Sequence, residues 1–90
     1  MKFKFKEDNN FDQRLKDSRK IREKYPERIP VIVERVANSQ ITDIDKHKFL
    51  VPHDISMAQF IATMGQIYQE HQDEDGFLYI AYSGENTFGN

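Results

Sequence analysis

The stretch that decides the fold is YPERIPVIVERV, Tyr25 to Val36. Ile29, Val31 and Val33 fall on one side of an extended chain; Pro30 and Ile32 fall on the other. A strand with one wet face alternates apolar with polar residues. This run does not alternate until Glu34. A nearly continuous β-branched run indicates a strand covered on both faces. Ile29 to Val36 therefore reads as the centre of a sheet with helices on it.

Upstream, Asn10 has the character of a helix N-cap, with Gln13 three residues on as in a capping box. Phe11, Leu15, Ile21 and Tyr25 recur near helical spacing, with Ser18 filling the stripe. This predicts an amphipathic helix of about four turns. Pro26 ends it, because the residue before a proline is pushed out of the α region. Ahead of the helix, Phe3 and Phe5 alternate with lysines. That segment reads as a short extended or one-turn arm whose rings lie on the body.

Downstream, residues 37–40 are a turn and ITDIDK, residues 41–46, a loop. His47 to Pro52 (HKFLVP) reads as a second strand, antiparallel to the first, and Pro52 stops it for want of a donor. Met57, Phe60, Ile61, Met64, Ile67 and Tyr68 form an apolar stripe at helical spacing. It predicts one helix, capped by Asp54 or Ser56 and ending near His71. Gly65 inside it costs up to ~1 kcal/mol relative to Ala. After a polar turn to Gly76, FLYIAY (Phe77 to Tyr82) is again apolar on both sides. A strand–helix–strand order favours a right-handed crossover, which sets this strand parallel to the first. Ser83 to Asn90 carries two glycines and no periodicity, and is expected to be mobile.

Ninety residues make one domain with a modest core. With no cysteine, neither a disulfide nor a thiolate metal site can form. No apolar run approaches the ~18 residues of a membrane span, and MKFKFKEDNN lacks the apolar segment of a signal peptide. A soluble, cytoplasmic protein is expected. The net charge of -2 is unevenly placed: residues 1–28 carry +4 and residues 29–90 carry -6. A basic N-terminal face suits an anionic membrane, a microtubule or an acidic peptide, or is a solvated helix face of mixed charge.

Little in the sequence suggests catalysis. His47, His53 and His71 have no second ligand at metal spacing, and the acidic turn Asp73–Glu74–Asp75 and the pair Asp43 and Asp45 read as solvated loops. No twelve-residue calcium loop, glycine-rich phosphate loop or nucleophile elbow is present. The expectation is a protein that is not an enzyme and needs no cofactor. What remains is surface. The strand His47 to Pro52 lies at a sheet edge, where an extended peptide can add by main-chain hydrogen bonding. Lys46 and Lys48 beside it equally suit the blunting of an edge against aggregation.

Three long blocks carry a family resemblance. KFKFKEDNNFDQRLKDSRKIREKYPERIPVIVERV resembles the start of the autophagy-related ubiquitin-like modifiers, the GABARAP-like group. DIDKHKFLVPHDISMAQF continues the likeness, and TMGQIYQEHQDEDGFLYIAYSGENTFG resembles the family's end. The resemblance implies an α+β fold: a ubiquitin-like β-grasp with an N-terminal helical extension. Residues 1–27 would be the helical part, 28–82 the shortened core and 83–90 the conjugation tail. It also implies that a family cysteine protease removes Asn90 and that activating and conjugating enzymes join Gly89 to phosphatidylethanolamine on autophagosomal membranes. Partners would be receptors bearing an aromatic-x-x-aliphatic motif; nucleic acid is not among them.

By the same resemblance, the aromatic residue of such a motif would meet Ile21, Pro30, Lys48, Leu50 and Phe77, with Asp17 where glutamate is usual. The aliphatic residue would meet Phe49, Val51, Pro52, Ile55 and Phe60, and Arg28, Lys46 and Lys48 would meet acidic flanks. One departure is large. After Phe60 the family continues its central helix and adds a third strand; here Phe60–Ile61–Ala62 runs directly into Thr63–Met64–Gly65–Gln66. The expected result is a three-stranded mixed sheet with one fused helix from about Ser56 to His71. The last strand becomes a second exposed edge, expected to associate. Three functions compete: a lipid-conjugated modifier, a shortened variant that only binds proteins, and a microtubule-binding accessory.

Overall fold

The computed structural model describes residues 2–55 and 62–83. The elements are α1 (Lys4–Asp8), α2 (Phe11–Lys24), β1 (Arg28–Arg35), β2 (Lys48–Pro52), α3 (Met64–His71) and β3 (Leu78–Tyr82). The three strands form one sheet in the order β2-β1-β3. β1 runs antiparallel to β2, pairing Val31 with Phe49, and parallel to β3, pairing Val31 with Leu78. β1 is thus central, as its composition requires.

Both of its faces are filled. Ile29 and Val31 share one face with Leu78, and Met64 and Tyr68 of α3 pack there. Ile32 lies on the other face and is fully buried, as is Phe77. Phe5 of α1 meets Phe77 edge-on at 5.2 Å, and Phe3 meets Tyr79 at 5.0 Å. The N-terminal arm is one helical turn with its rings on the body. Pro30 sits inside β1 without breaking a ladder, because its partner Leu50 belongs to a non-bonded pair and the β3 register begins only at Val31.

Glu34, where alternation begins, does not face water. It is 9 % exposed and its carboxylate accepts from the Lys4 and Phe5 amides at 2.6 and 2.9 Å. It caps α1 from the sheet, satisfying amides that a helix start leaves without partners. For α2 the cap is Asn10, whose side chain accepts from the Gln13 amide at 2.9 Å.

The fused helix from Ser56 to His71 is not formed. α3 begins at Met64, and Thr63 before it is extended at φ -79, ψ 160. The reason is a capping box: the Thr63 hydroxyl accepts from the Gln66 amide at 3.2 Å, and the Gln66 side chain accepts from the Thr63 amide at 2.8 Å. The Met64 and Gly65 amides reach back to the Ile55 and His53 carbonyls, both at 2.8 Å. A Cβ on Gly65 would lie 3.1 Å from that His53 oxygen, which accounts for glycine inside this helix. Ser56, and with it the rest of the expected helix up to Ile61, lies outside the described residues.

Candidate functional site

Among the described residues β2 is one edge of the sheet, and the ladder fixes which of its main-chain groups turn away from β1. The Val33 amide donates to the His47 carbonyl at 2.8 Å. In an antiparallel ladder bonded and non-bonded pairs alternate, so Val31 with Phe49 and Ile29 with Val51 are the other bonded pairs. Lys48 and Leu50 therefore turn their N–H and C=O outward, where no described strand lies. Pro52, two further on, has its missing donor on that outer side and costs the sheet nothing.

The side chains divide between the faces. Lys48 and Leu50 lie beside Ile32 and Pro30; Phe49 and Val51 lie beside Val31 and Ile29. Residues 49–52 are all half-buried, so each keeps surface for a further contact. Successive residues of an extended chain alternate sides, so residues three apart point to opposite faces. A segment laid along β2 would put one such side chain against Lys48 and Leu50 and the other against Phe49 and Val51; Pro30, expected in the first group, is wholly buried and serves as core.

Other expected site residues fall around this edge unevenly. Asp17 and Ile21 are half-buried, one turn apart on α2. Arg28 is exposed and pairs with Pro52 at the start of β1. Lys46 holds its ammonium 5.2 Å from the Phe49 ring, and Lys48 holds its own 5.9 Å from the Phe5 ring. Ile55 is 47 % exposed. Phe77 is wholly buried beneath Phe5 and serves as core. Phe60, Gly89 and Asn90 lie outside the described residues. Phe5 is a neighbour of this face that the sequence reading left out; its alternation with lysine was the only signal.

α2 is held by one buried carboxylate. Asp75 accepts from the Arg14 guanidinium at 2.8 Å, the Phe77 amide at 2.9 Å and the Tyr79 hydroxyl. The Ser18 hydroxyl donates to the Asp75 carbonyl. Burial, and then the bond to Asp75, push the Tyr79 hydroxyl far above the ordinary phenol range. Burial acts to raise the neighbouring Asp73, but its bonds to Lys6 and to the Asp75 amide outweigh this and hold it low. The acidic turn expected to be solvated is thus a hub binding α1, α2 and β3.

A cleft of about 800 Å³ lies between α1 and the end of β1, reaching His47 just before β2. Its walls mix Lys4 and Arg35 with Glu34 and Asp43, a balance that selects no charged ligand. Among the described residues no three His, Asp or Glu approach closely enough to hold a metal ion.

The family model described as "Autophagy protein Atg8 ubiquitin like" matches residues 13–63 and 61–89. Autophagy-related protein 8 of Schizosaccharomyces pombe is 46% identical over 116 residues, covering 99% of this chain and 96% of its own. Autophagy-related protein 8a of Arabidopsis thaliana is 45% identical over 115 residues, covering 98% and 94%. The crystal structure of Trypanosoma brucei ATG8 superposes with a TM-score of 0.85 at 37% identity, covering 99% of this chain and 100% of that one. An alignment of 116 positions against a chain of 90 leaves at least 26 positions unmatched here. The family match breaks at residues 61–63, so the missing segment falls between β2 and α3.

Proposed function

We propose, since this chain belongs to the Atg8 family of ubiquitin-like autophagy proteins, that it acts as a modifier and not as a catalyst. In this reading a cysteine protease hydrolyses the Gly89–Asn90 bond, and the freed Gly89 carboxyl is joined in an amide to the amine of phosphatidylethanolamine by activating and conjugating enzymes. Glycine offers an unhindered carboxyl, and a two-chain lipid is enough for stable anchoring. The protein then divides between cytoplasm and autophagosomal membrane. There it captures receptors whose aromatic-x-x-aliphatic segments add to β2.

The observation that carries the docking half is the β2 edge: Lys48 and Leu50 offer outward main-chain groups, and apolar side chains stand on both faces. That is the arrangement an i, i+3 motif requires. Titration of such a peptide against the protein and Leu50→Ala is expected to show clearly weaker binding by the variant; equal binding counts against the site. For conjugation, incubation with the protease, conjugating enzymes and phosphatidylethanolamine vesicles is expected to give a lipidated species that Gly89→Ala abolishes. Absence of a Gly89-dependent product, with docking intact, favours the second reading: a shortened variant that only binds proteins. The missing segment between β2 and α3 is what favours that alternative.

A further inference from the structure

Among the described residues β3 is the sheet's other edge. The Val36 amide donates to the Tyr82 carbonyl at 2.8 Å. By the alternation of the ladder, Leu78, Ile80 and Tyr82 turn their main-chain groups toward β1. Tyr79 and Ala81 turn theirs away, and no described strand takes those four groups. Nothing in LYIAY blunts the edge, for it has no charge, proline or glycine. The faces of β3, by contrast, are occupied. Phe3 and Lys6 lie on the Tyr79 ring at 5.0 and 4.6 Å, and Leu78 is in the core with α3.

We propose that this edge pairs with the same edge of a second copy, antiparallel about a twofold axis at Ile80, making a six-stranded sheet. The strand is self-complementary about that residue. Setting Ile80 against Ile80 places Tyr79 opposite Ala81 of the other copy, so the outward N–H and C=O groups exchange four hydrogen bonds and none is left over. Side chains match as well: the bulky Tyr79 faces the small Ala81, Leu78 faces Tyr82, and no like charges meet. The contact is isologous and closes on itself. The outer edges of the dimer are then the two β2 strands, where Lys48 and Pro52 discourage further growth. Among the described residues no strand covers this edge, and the chain is at least 26 positions shorter than its aligned relative, with the family match breaking between β2 and α3. The pairing rests on neither lipid conjugation nor peptide docking.

The test is sedimentation equilibrium of the full chain across micromolar concentrations, with amide hydrogen exchange on the same samples. The expected result is a monomer–dimer equilibrium in which the Tyr79 and Ala81 amides become protected as concentration rises. Ala81→Pro removes an outward N–H and leaves the β1 ladder untouched. It is expected to weaken dimerisation by about 30-fold, since two net hydrogen bonds are lost per dimer. A monomer at every concentration with both amides freely exchanging overturns the proposal. So does growth beyond two copies, or an unchanged affinity in an Ala81→Pro protein that melts as cooperatively as its parent. Exchange on the unmodified chain decides the matter even where that variant does not fold.

Discussion

Replacing Asp75 by asparagine tests the hub that ties α2 to the sheet. The carboxylate is wholly buried, and the Arg14 side chain that pairs with it is 11% exposed. In Asp75→Asn the amide oxygen still accepts from the Phe77 N–H, but the side chain is neutral toward Arg14 and Tyr79. The guanidinium retains the Lys6 and Asn9 carbonyls at 3.3 and 2.7 Å, while its counter-charge is gone. Removing one partner of a buried pair costs about 3–5 kcal/mol. A chain of this size holds roughly 5–13 kcal/mol in all, so the variant loses about a quarter of its stability or more. Each kcal/mol moves the melting temperature by about 4–8 °C in a small domain. A fall on the order of 20 °C is therefore expected by calorimetry and urea titration. Arg14→Met removes the other partner, and the double variant is expected to cost at least ~1 kcal/mol less than the sum of the singles. An Asp75→Asn protein within ~1 kcal/mol of the parent, or strictly additive singles, would refute the reasoning. Because α2 carries Asp17 and Ile21, the same variant is expected to weaken peptide docking at temperatures where it remains folded.

Three further outcomes are expected. Gly76 has φ +90, and a Cβ there would stand 2.4 Å from the Ser18 Oγ; Gly76→Ala is expected to lose about 2–4 kcal/mol in urea titration, and Ser18→Ala to recover part of it. Thr63→Ala removes one half of the α3 capping box and is expected to cost about 1 kcal/mol, visible as loss of exchange protection at Gln66. Burial acts against ionised Asp73, yet its bonds, first among them that to Lys6, hold it below the ordinary value of 3.8. A group whose folded pKa is depressed contributes stability above its unfolded pKa and loses it as pH falls through the folded value. Asp73→Asn is therefore expected to flatten the stability profile below about pH 4, by no more than ~1 kcal/mol because Lys6 and Asp73 are partly exposed.

Much of the fold was legible from the arrangement of apolar residues. β-branched residues on both sides of β1 specify a central strand, Asn10 and Pro26 bracket α2, and FLYIAY reads as an interior strand that the crossover through a helix sets parallel to β1. The fused helix was misread because an apolar stripe continues from Phe60 to Met64 by coincidence of spacing. Periodicity measures where side chains would point if a helix formed, not whether one starts there. The corrective signal was present as Thr63 with Gln66 three residues on. Glu34 and Asp75 were beyond sequence reasoning for a different reason. A carboxylate is written the same whether it is solvated or buried, and only the distant amides and guanidinium that meet it decide. Their partners lie about 30 and 61 residues away in the chain. On the β2 edge, the residue types were readable, while the alternation that turns Lys48 and Leu50 outward required the register.

The cap on α3 has a consequence for how this chain can vary in length. A helix that borrows its first turn from the residues before it is unravelled by any change upstream. α3 instead carries its own start in Thr63 and Gln66, and two of its amides are moored to carbonyls of His53 and Ile55. Ile55 and Met64 are therefore held together across residues 56–63 by bonds made outside that segment. Polypeptide between those moorings can be shortened or lengthened without shifting the register of anything that follows. A foreign tag inserted between those moorings is accordingly expected to leave the exchange protection of α3 unchanged.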